Sequence, residues 1–186
     1  MSLVSNLFLL FVAASILIYY IVPRKSQWIV LLIFSYLYYI AGGPRYVVFI
    51  LFSTLVTWLM ALLIEKAEGK ENHKGARKLL ILGLILNFGM LGIVKYTNFA
   101  VENINALLHL NLRGIQLLLP LGISFYTFQS SGYLLDVYWK RCKAERHPLK
   151  YALFVSFFPQ ILQGPIGRYS RLADQLYAEH LSLIHI

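Results

Sequence analysis

Six stretches of this chain contain no Asp, Glu, Lys or Arg: Met1–Pro23, Ser26–Pro44, Tyr46–Ile64, Leu79–Val94, Gly114–Leu135 and Tyr151–Gly167. A helix needs about 20 predominantly apolar residues to cross the hydrocarbon of a bilayer. Inside lipid the backbone must also satisfy its own hydrogen bonds, so only helices or closed barrels span it. Runs this long, at this spacing, predict an all-α polytopic integral membrane protein with five to six spanning or re-entrant helices. Composition agrees, because 59% of residues are hydrophobic and only 13% charged, against about 45–50% and about 25% in soluble domains.

The formal net charge of +9 would suggest nucleic acid in a soluble protein. Here the basic residues sit in the gaps between apolar runs, where they orient a membrane protein instead. With the N-terminus outside, Arg24, Lys25, Lys66, Lys70, Lys74, Arg77, Lys78, Lys140, Arg141, Lys143, Arg146 and Lys150 face the cytoplasm. The outer side receives only Arg45, Lys95 and Arg113. Twelve against three predicts a multi-pass protein of the plasma (inner) membrane, N-terminus outside, whose partners are the bilayer and not nucleic acid. The first run has an uncharged n-region, "MSLVSN", and its basic pair follows the apolar stretch, the reverse of a secretory signal. Cys142 is the only cysteine, so no internal disulfide can form.

Between the runs, "PRKSQ" and "AGGPR" read as tight turns. Residues 65–78, "EKAEGKENHKGARK", read as the one extended hydrophilic loop, solvated or lying among headgroups. After the fourth run, "YTNFAVENINALLHLNLRGIQ" intersperses Phe99, Ile104, Leu107 and Leu108 with Asn, Glu and His. It reads as an amphipathic helix in the outer interface or as an ordinary outer loop.

Two stretches carry polar groups that a plain anchor does not need. In "PLGISFYTFQSSGYLLDVYWKR", Tyr126, Gln129, Tyr133 and Asp136 stand at offsets of three, seven and ten, one stripe of a helix. Polar side chains in a span face protein or a watery cavity; alternatively, Asp136 sits at the cytoplasmic interface and pairs with Lys140 one turn on. In "FFPQILQGPIGRYSRL", Pro159, Gly164, Pro165 and Gly167 crowd a stretch through which no regular helix continues. Either the backbone breaks or re-enters at membrane depth, where Gln160, Gln163 and Arg168 become donors at a cavity wall, or it is a loop beyond the membrane with Arg168 and Arg171 as headgroup anchors. Enzyme signatures such as G-x-S-x-G, H-E-x-x-H or a Gly-rich phosphate loop are absent, and none of His73, His109, His147, His180 and His185 lies within a span.

These two stretches, in this order and at this separation, together with "KYTNF" at Lys95–Phe99, strongly resemble the membrane-bound O-acyltransferase superfamily. The similarity is to the branch containing alginate and peptidoglycan O-acetyltransferases and the teichoic-acid D-alanyl transferase. It covers most of residues 1–178, which are then expected to be the N-terminal portion of one membrane acyltransferase domain, with 179–186 an aberrant or truncated tail. The resemblance implies transfer of an acyl group, acetyl by expectation, from a cytoplasmic thioester to a hydroxyl on an extracytoplasmic polymer or acyl-relay partner protein. Acetyl-coenzyme A or an acyl carrier protein would be substrate, with no bound cofactor and no metal. The family's essential histidine lies in a later span that this sequence does not contain, so the chain alone is expected to be inactive and to hold no catalytic residue. Gln129, Gln160, Gln163 and Arg168 are then the expected cavity-lining groups, with Tyr126, Tyr133, Asp136, Pro159, Gly164 and Pro165 supporting them. A transporter or channel segment with a broken-helix pathway is the competing reading.

Overall fold

The computed structural model describes residues 6–108, 120, 122–163 and 167–177, apart from the side chains of residues 98, 108, 162, 163 and 174. Among them there is no strand. Helices α1 (Asn6–Ile21) and α2 (Gln27–Gly42) are joined through a short 3-10 turn at Arg24–Ser26. The Gly-Gly-Pro sequence ends α2 as expected: Gly43 adopts φ +143°, and Pro44 opens a second 3-10 turn, Pro44–Tyr46.

Helices α3 (Val47–Glu68) and α4 (His73–Leu108) follow, which corrects two expectations. The hydrophilic loop shrinks from residues 65–78 to 69–72, because both helices run on into the charged stretch. Its charges have partners: Glu68 pairs with His73 at 2.9 Å and Lys140 at 3.2 Å, and Glu65 with Arg146 at 2.6 Å. The Asn72 side chain accepts the Gly75 N–H at 2.9 Å and so caps the start of α4. The mixed segment after the fourth run is likewise no separate interfacial helix. Through Leu108 it is the continuation of α4, whose 36 residues reach about 54 Å at 1.5 Å per residue. Lower hydropathy changes what surrounds a helix without ending it.

Helix α5 (Ile123–Tyr138) lies against α3 and α4 and makes the centre of the molecule with them; α2 and α6 (Pro148–Ser156) pack along it. Of the lipid-length run at Gly114–Leu135, the residues from Ile123 onward belong to this 16-residue helix, and residues 109–119 and 121 lie outside the described part. Two short helices, α7 (Phe158–Gln163) and α8 (Tyr169–Tyr177), are the last elements among the described residues.

Two segments, Pro44–Glu68 and His73–Thr97, are long and apolar enough to cross a membrane. The other apolar helices are shorter. The surface nevertheless suits lipid: Leu10, Leu17 and Ile21 on α1 and Val48 and Leu55 on α3 are each more than half exposed, while Ser35, Ser53, Thr57, Asn87 and Gln129 are buried. Polar inside and apolar outside is the arrangement that hydrocarbon favours.

Candidate functional site

The feature that organises the site is a missing backbone hydrogen bond. Had α6 continued, the Phe158 N–H would have donated to the Phe154 carbonyl, but the ring of Pro159 would then have met the carbonyl of Val155 four residues back. Phe157 instead takes φ −55°, ψ 103°, and the helix breaks there. Both orphaned groups find side chains. Gln129 Nε2 on α5 donates to the Phe154 carbonyl at 3.1 Å, and the Phe158 N–H donates to Ser35 Oγ on α2 at 3.3 Å. An unpaired backbone group buried in apolar surroundings costs several kcal/mol, so these two side chains are what make the break tolerable.

The second N–H of Gln129 goes to Gln160 Oε1 at 3.2 Å, linking α5 to α7 beyond the break. The polar stripe on α5 exists as its spacing implies, with Tyr126, Gln129, Tyr133 and Asp136 all buried. Tyr126 faces Tyr39 of α2, ring centres 6.4 Å apart. Tyr133 stacks between Tyr151 at 4.7 Å and Tyr169 at 4.9 Å. Asp136 pairs with Arg141 at 3.6 Å, whereas Lys140 goes to Glu68. The Asp136–Lys140 pair, the alternative the spacing offered, does not form because α5 ends at Tyr138 and Lys140 has a left-handed backbone, φ 58°, so helical spacing no longer applies.

The chain beyond the break turns back. Gly167 lies beside Gln160, so close that a Cβ there would sit 2.6 Å from Gln160 Nε2. Helix α8 then returns along α6, with Tyr169, Leu172 and Leu176 buried on one stripe, and its last residue, Tyr177, donates to the Lys150 carbonyl at 2.5 Å. The two legs of the hairpin therefore begin and end together. Glu145 fastens them: its carboxylate accepts Tyr169 OH at 2.5 Å and the His147 N–H at 2.8 Å, its N–H donates to Tyr133 OH at 2.8 Å, and its carbonyl accepts Trp58 Nε1 at 2.9 Å. Beside this node lies a pocket of about 520 Å³ bounded by Glu65, Glu68, Lys140, Arg141, Cys142 and Lys143. Burial, with the charges of Asp136 and Glu65 adding to it, pushes the Cys142 thiol up to about 11.

Of the expected site residues, the structure brings Gln129 and Gln160 together and places Pro159 at the break. Arg168 is exposed and makes no ion pair among the described residues. The Gln163 side chain, Gly164 and Pro165 lie outside the described residues, as do 178–186. Sequence reasoning missed Ser35, Glu145 and Asn87. Asn87 receives Ser53 Oγ at 2.6 Å and donates to Thr57 Oγ1 at 3.0 Å, tying α4 to α3 at mid-length; its signal was being the single carboxamide within Leu79–Val94. No metal-ligating cluster occurs among the described residues.

Similarity to known proteins extends along nearly the whole chain. It is 36% identical over 178 residues to a probable alginate O-acetylase of Pseudomonas syringae pv. tomato, covering 92% of this chain and 34% of that protein. A probable alginate O-acetylase of Pseudomonas aeruginosa is 34% identical over the same shares, and a peptidoglycan O-acetyltransferase of Helicobacter pylori is 33% identical over 80% of this chain and 32% of its own. The chain belongs to this membrane-bound O-acyltransferase family. It spans about a third of the length of these relatives. No family model and no solved structure matches it. Within the family, the capped break and the Glu145-fastened hairpin are the features of this chain with no role in a plain membrane anchor.

Proposed function

We propose that the chain is part of a membrane O-acetyltransferase that moves an acetyl group from a cytoplasmic thioester, acetyl-coenzyme A or an acylated carrier protein, to hydroxyls of an extracytoplasmic polysaccharide such as alginate or peptidoglycan, directly or through an acyl-relay partner protein. The observation that carries this reading is the break at Phe157, held open by Gln129 and Ser35 inside the bundle, in a chain of this family. Irregular backbone at membrane depth is tolerated where it lines a passage.

In this reading five to six helices cross or re-enter the inner membrane with the N-terminus outside, as the twelve-to-three split of basic residues supports. Helices α6, α7 and α8 form a re-entrant hairpin from the cytoplasmic face, supported by the meeting of Lys150 and Tyr177. The pocket bounded by Glu65, Glu68, Lys140, Arg141 and Lys143 lies at the cytoplasmic mouth in this reading, while Gln129 and Gln160 stand further in. Acetyl transfer to a hydroxyl needs a base to remove its proton. Neither described histidine lies free beside Gln160, since His73 pairs with Glu68 and His147 lies against Trp28; in this reading the base comes from another part of the enzyme.

The test is replacement by alanine of the residues that align with Gln129 and Gln160 in the Pseudomonas aeruginosa relative, with alginate acetylation measured at matched protein level. The reading expects acetylation to fall at least tenfold in each, and full acetylation in both would overturn it.

A further inference from the structure

The two carboxamides form a chain with one defined direction. Were the Gln129 amide reversed, its oxygen would face the Phe154 carbonyl, two acceptors in contact, so the nitrogen must lie there. Both Gln129 N–H groups are then spent, one on Phe154 and one on Gln160 Oε1. Gln129 therefore has no donor left to offer a ligand. The same logic fixes Gln160: its oxygen faces inward, and its NH₂ has no partner among the described residues. Gln160 is half-buried, unlike Gln129, which is 2% exposed. Gly167 adds a steric condition, because any Cβ there would stand 2.6 Å from this nitrogen.

From this we infer that Gln160 Nε2 is a donor that grips a carbonyl oxygen of the thioester substrate, that Gln129 is the positioning residue that aims it, and that Gly167 keeps the approach clear. The inference rests on the acetyltransferase reading and adds to it which atom meets the donor molecule. A thioester donor offers two sources of such an oxygen, the acyl carbonyl and the amide carbonyls of its pantetheine arm. The order of the chain explains its parts: the broken backbone orients Gln129, Gln129 orients Gln160, and the ligand completes the series. Adjacent dipoles aligned in this way strengthen one another.

The full chain in lipid nanodiscs, with ¹⁵N-labelled glutamine, tests this by titration with acetyl-coenzyme A and, separately, coenzyme A. The side-chain NH₂ signals of Gln160 should shift saturably. A shift with both ligands assigns the contact to the pantetheine amides, and a shift with acetyl-coenzyme A alone assigns it to the acyl carbonyl; either supports the inference. Gln160→Glu still accepts the Gln129 N–H, so the break stays capped while the outer donor is lost. It should weaken acetyl-coenzyme A binding about five- to tenfold, the value of one hydrogen bond. Gly167→Ala should weaken it similarly, and Gln129→Leu should collapse the Gln160 signals toward those of an unrestrained carboxamide. If Gln160→Glu and Gly167→Ala both bind acetyl-coenzyme A as tightly as the wild type, the inference falls and the acetyltransferase reading stands. If the wild type binds neither acetyl-coenzyme A nor an acetylated carrier protein, both fall together.

Discussion

Glu145 is the place where a single substitution should separate the hairpin from the bundle. Glu145→Ala removes two hydrogen bonds to the carboxylate, from Tyr169 OH at 2.5 Å and from the His147 N–H at 2.8 Å; the backbone bonds to Tyr133 and Trp58 remain available. His147 is exposed, so its amide turns to water and that loss contributes little. Tyr169 is only 7% exposed, and its hydroxyl is left without a partner, at a cost of about 1–3 kcal/mol. Adding the charge-assisted bond itself, discounted because Glu145 is half-buried, gives a loss of about 2–3 kcal/mol. Tyr169→Phe leaves the carboxylate to water and should cost only about 1 kcal/mol. The double variant should be no less stable than Glu145→Ala, because the second change removes an orphan that the first created. Thermal unfolding in detergent gives the totals, and amide hydrogen exchange locates them: α8 should lose protection while α3 and α4 keep theirs. If Glu145→Ala lies within about 0.5 kcal/mol of the wild type, or exchange rises equally in every helix, Glu145 does not fasten the hairpin.

Three further outcomes follow from the geometry. Asn87→Leu removes the bonds from Ser53 and to Thr57 and should cost about 1–2 kcal/mol at the roughly 0.6 kcal/mol measured per interhelical bond in membranes, read by unfolding in mixed micelles. Gly122→Ala should cost at least about 1 kcal/mol, since Gly122 holds φ +69° and a Cβ would meet Ile161 Cγ2 at 2.6 Å; the same unfolding assay checks it. Cys142, with its thiol held up to about 11, should react with iodoacetamide about tenfold more slowly at pH 8 than an ordinary cysteine. The thiolate population falls about a hundredfold, and greater nucleophilicity recovers part of that. Its rate should keep rising with pH beyond 9, where an unshifted thiol levels off.

How much was legible in the sequence depended on whether the cause was local. Pro159 breaks a helix through its own ring, so the break could be read from one residue. The stripe of Tyr126, Gln129, Tyr133 and Asp136 is likewise a property of one helix. The hydrophilic loop at residues 65–78 was misread because the partners that keep Glu65 and Glu68 helical, Arg146 and Lys140, lie more than seventy positions away. Glu145 was invisible for the same reason: amid Lys143, Arg146 and Lys150 it looks like one compensating charge, and only the folded chain brings Tyr133, Tyr169 and Trp58 to it. The capping role of Gln129 needed the backbone as well, since only the Phe154 carbonyl freed by the break shows where its N–H goes.

The most direct test of the account is the sidedness of the hairpin. Leu149→Cys and Gln175→Cys, each in a Cys142→Ala background, would be probed in right-side-out and inverted membrane vesicles with a maleimide that does not cross lipid. Residues 149 and 175 stand at the two feet of the α6–α8 hairpin, where Tyr177 meets Lys150. Both should label only from the cytoplasmic face. Labelling of the two positions from opposite faces would mean that this segment crosses the membrane, and the passage built around the break at Phe157 would not exist.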